Sequence, residues 1–258
     1  MSYEQNEFKL KEVSSLAEGI YELIVDAPEI AAKAQAGQFV HIRTKGYTLR
    51  RPISICKIDR EQGTLRLVIE VRGKGTEEIC SMKAGDKIDL IAPLGHGFEL
   101  LDRSKKAIVV GGGIGSAPLL EVAGNYGKNC KAILGFRDSG TVVLEQDYIA
   151  LGAETIICTD NGTKGFHGFT TQMLDKQLSE STADIIYACG PKPMLKGVAE
   201  LAARYKIRCQ LSMDERMACG IGACLGCACK TKKPDGSSAY SHACKHGPVF
   251  EAEAVDFD

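Results

Sequence analysis

The sequence predicts a small antiparallel barrel or sandwich, then a doubly wound parallel sheet, then a short cysteine-rich unit. Three observations carry this. Short runs of alternating apolar residues fill the first hundred positions. Near Ser104 the pattern changes to buried apolar runs separated by helical segments. Five of the eleven cysteines fall between positions 219 and 244. The expected boundaries are 1–102, 103–210 and 211–258.

In the first unit, Gly19–Val25 and Thr64–Val71 alternate with period two, as half-buried strands do. Gln38–Arg43 and Lys87–Ile91 are shorter runs bounded by glycines and charges. In the second unit, Lys106–Val110, Lys131–Phe136, Thr155–Cys158 and Ala183–Ala188 read as buried strands, and Lys192–Tyr205 as a helix. Strands alternating with helices imply a parallel sheet covered on both faces.

A net charge of −1 supplies no basic field for nucleic acid or an anionic membrane. The polar stretch Met1–Glu7 is no signal peptide. The most apolar stretch, 107–123, is broken by four glycines and a proline, against a membrane span. The expected setting is therefore the cytoplasm, with no membrane and no nucleic-acid partner. The five histidines show no ligand spacing among themselves.

Cys56, Cys80, Cys130, Cys158, Cys189 and Cys209 are scattered, as small buried apolar residues are. Cys219, Cys224 and Cys227 instead form C-x4-C-x2-C, with Cys244 beyond, the plant-type spacing for [2Fe–2S] ligands. Two irons need two thiolates each, and a loop of small residues must wrap the inorganic sulfides. Gly220, Gly222 and Gly226 permit that close approach. A zinc site in a non-redox binding module is the alternative, but zinc loops usually offer two separated C-x2-C pairs. Cys229 is a fifth thiol, expected to be a spectator pointing away.

Gly113-x-Gly115-x-x-Pro118 follows a strand and resembles a dinucleotide fingerprint with proline at the third glycine. A tight turn with no ligand would look the same. Asp160, after one strand, and Cys189-Gly190, after another, would line the same carboxyl edge of the sheet, where ligands bind in open α/β folds. Cys189 is either a small buried residue or a neighbour of a nicotinamide ring. In the first unit, Arg51-Pro52-Ile53-Ser54 joins a cation to a hydroxyl, and Gly75-Thr76 marks a glycine turn with a helix start at Thr76. An arginine with helix-start amides suits a pyrophosphate; in isolation, Arg51 reads as a surface charge and Thr76 as a cap.

Together these elements resemble the ferredoxin-reductase superfamily, with a flavin-binding barrel followed by a nicotinamide-binding α/β domain. The loop Glu215-Arg216-Met217-x-Cys219-Gly220-x-Gly222-x-Cys224, closed by Cys244-x-x-Gly247-Pro248-Val249-Phe250, resembles more narrowly the electron-transfer subunits of dihydroorotate dehydrogenase B complexes. The resemblance covers essentially the whole chain. It implies FAD against Arg51, Pro52, Ile53, Ser54, Val68, Ile69, Glu70, Gly75 and Thr76, and a nicotinamide loop at Cys189 and Gly190, which joins Gly113, Gly115 and Asp160 as the candidate NAD contacts. It maps the cluster ligands to Cys219, Cys224, Cys227 and Cys244. It implies an FMN-containing dihydroorotate dehydrogenase partner in a heterotetramer of two of each, serving pyrimidine (UMP) biosynthesis. Ile53 departs from the superfamily, many members of which carry a tyrosine there. The rivals sharing this fold are a flavin–iron–sulfur subunit of a sulfide dehydrogenase or ferredoxin-dependent transhydrogenase, and a reductase feeding an oxygenase. The first of these tends to have aspartate where this chain has Cys219.

Overall fold

Alternating burial closes the first part of the chain into a barrel. The computed structural model describes residues 3–233 and 235–257. Strands β1 (Glu4–Ala17), β2 (Ile20–Asp26), β3 (Phe39–Ile42), β4 (Arg51–Asp59), β5 (Thr64–Glu70) and β6 (Lys87–Leu94) pair in the order β1-β2-β5-β4-β3-β6 and close. Helices α1 (Pro28–Lys33) and α2 (Lys74–Cys80) lie between them. Leu10, Leu23, Val25, Leu65, Leu67 and Leu90 fill the interior without exposure. Each such leucine or valine stabilises the barrel by about 1.5–3 kcal/mol relative to remaining in water.

The second body is a seven-stranded sheet. Its elements are β7 (Ala107–Gly112), α3 (Leu120–Tyr126), β8 (Cys130–Phe136), α4 (Glu145–Ala150), β9 (Glu154–Thr159), β10 (Phe166–His167), α5 (Thr170–Glu180), β11 (Ile185–Cys189), α6 (Lys192–Tyr205) and β12 (Arg208–Ser212). Ala107, Val109, Ile185 and Tyr187 pack towards α3 and α4. Ile108, Val110, Ile186 and Ala188 pack towards α5 and α6. Both faces are covered because a parallel strand exposes alternate side chains to opposite helical layers. The barrel is tied on by Arg66 of β5, which pairs with both Glu22 and Asp147.

The tail adds a hairpin, β13 (Ala228–Lys232) with β14 (Ser238–His242), and then β15 (Val249–Glu251). Strand β15 pairs antiparallel with β12, completing the order β10-β9-β8-β7-β11-β12-β15. The tail is thus part of the sheet as well as a unit of its own. A second difference concerns α2, which begins at Lys74 after Gly73, not at Thr76. The Thr76 hydroxyl instead looks back, accepting from the amides of Arg72 and Gly73 at 2.9 and 3.3 Å.

Candidate functional site

Between β12 and β13 the chain wraps its cysteines in a loop without regular structure. Gly220 and Gly222, at φ +71° and +83°, supply the left-handed turns that bring amides round to sulfur. Gly222 N–H donates to Cys244 Sγ at 3.1 Å, and Ala223 and Cys224 donate to Cys219 Sγ at 3.3 and 3.4 Å. Gly226 donates to Cys224 Sγ at 3.4 Å, and Cys244 to Cys227 Sγ at 3.5 Å. Each of the four sulfurs therefore receives a backbone donor, an arrangement that stabilises negative charge on sulfur. Burial works against ionising Cys219, but the amides of Ile221, Cys224 and Ala223 outweigh it and bring the thiol down to about 6. Burial and the neighbouring Cys227 push Cys244 up to about 12.

The thiols fall into two pairs. Cys227 and Cys244 have their sulfurs 3.2 Å apart, and the Cys224 thiol lies near enough to Cys219 to help lower its pKa. Two thiolates at such a distance both ionise only with a cation between them. Two thiol pairs ringed by amides fit a two-iron cluster better than one tetrahedral zinc. Cys229 donates instead to the Ser241 carbonyl at 3.4 Å across the hairpin. The buried pair Cys227 and Cys244 packs with Phe39 and Leu94 of the barrel, while Ile221 and Leu225 face outward.

Beside this loop lies a cradle on the barrel. Arg51 opens β4, followed by half-buried Pro52, Ile53 and Ser54. Its guanidinium rests on the backbone of Gly75, where a Cβ would stand 2.3 Å from Nε. On another side it stacks on Tyr47, 5.2 Å from the ring centroid. Only glycine admits the arginine this close to the start of α2, and this places a fixed cation beside helix-start amides. Val68, Ile69 and Glu70 end the adjacent strand β5. Val68 and Ile69 are buried, so what they offer a ligand is backbone.

The glycine turn after β7 packs against both β4 and β5. Gly113, at φ +55°, has open space around its missing side chain. Gly115 meets the Cys189 carbonyl, which a Cβ would approach to 2.3 Å. Gly113, Gly115, Cys189 and Gly190 thus share the carboxyl edge of the sheet, and the turn meets strands β4 and β5 of the barrel. Burial pushes the Cys189 thiol up to about 12, so it stays neutral. Asp160 lies on the same carboxyl edge, exposed at the end of β9 and two strands from β7, in a turn closed by Thr159 and Lys164. A cleft of about 610 Å³ lined by Lys57, Arg60, Phe98 and Glu121 contains none of these residues.

Sequence reasoning missed Tyr47, because an exposed tyrosine in a loop carries no periodic signal. It also missed Asp138 at the end of β8, whose carboxylate accepts from the amides of Gly140 and Thr141. Its spacing to Thr141 is a capping pattern visible in the sequence.

Residues 214–256 match the family model described as the iron-sulfur cluster binding domain of dihydroorotate dehydrogenase B. Residues 7–98 match the oxidoreductase FAD-binding domain. The chain is 41% identical over 249 residues to the dihydroorotate dehydrogenase B (NAD(+)) electron transfer subunit of Geobacillus thermodenitrificans, covering 93% of this chain and 94% of that protein. It is 40% identical to the subunit of the same name from Clostridium perfringens, covering 100% of both. Among solved structures, an NADH-dependent reduced ferredoxin-NADP oxidoreductase superposes with a TM-score of 0.87 at 29% identity, over 97% of this chain and 90% of that one. Phthalate dioxygenase reductase shares the fold at a TM-score of 0.62 and 18% identity, over 93% of this chain and 77% of that one.

Proposed function

The chain belongs to the family of dihydroorotate dehydrogenase B electron transfer subunits, and we propose that it relays electrons from a catalytic partner subunit to NAD⁺. When bound, the [2Fe–2S] cluster exchanges single electrons, FAD handles both singles and pairs, and NAD⁺ accepts hydride. The remaining work is done by the chain. Cys219, Cys224, Cys227 and Cys244 hold the irons, and the surrounding amides stabilise charge on sulfur. Arg51, fixed between Gly75 and Tyr47, clamps the flavin pyrophosphate. Gly113 and Gly115 admit the nicotinamide cofactor's phosphates, and neutral Cys189 with Gly190 borders its ring.

One observation carries this reading: the buried thiol pair Cys227 and Cys244 packs on Phe39 of β3, the strand paired with the one that bears the arginine cradle. In its finer form, the partner contains FMN, oxidises dihydroorotate to orotate, and binds as two copies with two of this chain. We place the assembly in the cytoplasm, where thiols stay reduced, since all eleven cysteines are unpaired. No helix among the described residues is long and apolar enough to cross a membrane.

Co-expression with a candidate catalytic subunit, followed by cofactor analysis and donor assays, tests the proposal. NADH formation with dihydroorotate, but not with sulfide or reduced ferredoxin, is the expected result. NAD⁺ reduction driven by sulfide or ferredoxin, with none from dihydroorotate, would overturn the assigned donor.

A further inference from the structure

His41 sits on β3, opposite Pro52 of the flavin-side strand and beside Ile91 of β6. It has no exposed surface, and neither ring nitrogen makes a hydrogen bond of full geometry, although the backbones of Arg50 and Cys219 stand close enough to pair with the ring. A neutral imidazole carries one N–H and one lone pair, and leaving both unpaired in a dry site is costly. A polar side chain kept there at that cost calls for an explanation.

Its surroundings give one. The ring lies against Gly220, where a Cβ would stand 2.4 Å from Nδ1 and 3.0 Å from Cε1. The backbones of Arg50 and of Cys219, the first cluster ligand, both lie within reach of the imidazole. The strand around it is rigidly held. Arg50 donates to the His41 carbonyl at 3.3 Å and pairs with Asp89 at 2.8 Å. One side chain therefore touches both the residue preceding the Arg51 cradle and the turn that aims Cys219. A phenylalanine or leucine would fill the same space without polar atoms, so packing alone does not account for a histidine.

We propose that His41 is a positioning residue for the electron path, a buried polar strut that sets the Cys219–Gly220 turn against the flavin-binding strand. The inference rests on the relay reading and names a residue through which the chain fixes the cluster ligand relative to the flavin. His41 touches no reacting atom. It acts through the Cys219 backbone, as outer-shell partners of metal ligands do.

The test compares the anaerobically reconstituted full chain with its His41→Phe, His41→Leu, His41→Asn and Gly220→Ala variants. Readouts are iron, labile sulfide and FAD content, the electron paramagnetic resonance signal of the reduced cluster, its midpoint potential, and the rate of internal cluster–flavin transfer. His41→Phe is expected to keep its iron and FAD, to shift the resonance signal and potential, and to slow internal transfer by about tenfold, the lower end for losing an outer-shell partner. His41→Asn, which retains a donor, is expected to recover most of the rate and the original signal. Gly220→Ala strains the left-handed turn itself, so its signal is the reference for a displaced turn, and His41→Leu decides the matter should His41→Phe not fold. Wild-type signal, potential and rate in the phenylalanine variant, or in the leucine variant if only that one folds, would overturn the inference while the relay stands. An unaltered chain that takes up no iron would overturn the relay and the inference together.

Discussion

Cys209 and Cys219 stand close in sequence and are chemically opposite. Cys209 is sealed in the sheet core, where burial raises its thiol far above the usual range. Cys56 and Cys130 are likewise pushed up to about 12 by burial, and Cys158 to about 11. Cys219 is partly buried too, yet backbone amides aimed at its sulfur bring it down to about 6. The difference lies in the backbone: strands spend their amides on neighbouring strands, whereas the glycine-rich loop leaves amides free to meet sulfur. A thiol held inside a strand is carbon-like filler, whereas one wrapped by a loop whose amides turn towards sulfur is a ligand in waiting.

The strongest challenge to that contrast is a pair of serine substitutions. Cys224→Ser should abolish cluster assembly and donor-dependent NAD⁺ reduction, whereas Cys158→Ser should keep full iron and labile sulfide. Iron retained by the first variant, or lost by the second, would erase the distinction between the two groups. Next comes thiol reactivity in cluster-free protein at neutral pH. Cys219 should alkylate on the order of a hundredfold faster than Cys158, because its larger thiolate fraction is only partly offset by lower nucleophilicity. Peptide mapping after a brief iodoacetamide pulse measures the ratio, and equal labelling would contradict the role given to the amides. The smallest effect is in the barrel. Cys56→Ala should cost about 1 kcal/mol of unfolding free energy, the scale for removing one buried heavy atom, with iron content unchanged. Urea unfolding beside iron analysis separates the two quantities.

What the sequence disclosed follows the same division. Strands β2 and β5 were legible because one face of each is apolar and the other polar. Strand β1 was not, since only Phe8 and Leu10 of its fourteen residues are fully buried and charges fill much of the rest. The polar hairpin of β13 and β14 and the three residues of β15 gave no periodic signal at all. The cluster cysteines stood out because so spaced a set has few other uses. His41 was invisible: all four residues of β3 are buried, so its strand pattern says nothing, and its meaning comes from Gly220, far along the chain. Threonine favours caps and so marks Thr76 as a helix start, but Gly73 takes that place and the hydroxyl folds back on the turn.

The return of β15 to the sheet has a consequence for how the iron-bearing loop behaves. Met213 N–H bonds to the Pro248 carbonyl at 2.8 Å, and His96 N–H to that of Gly247 at 2.6 Å, so the loop is fastened at both its entrance and its exit. To swing outward like a tethered carrier, it would have to strip the border strand from β12 and expose a row of unpaired amides. The loop is a fixture, not a shuttle. The four thiols are therefore held in one place relative to the barrel by strand pairing at both ends of the loop.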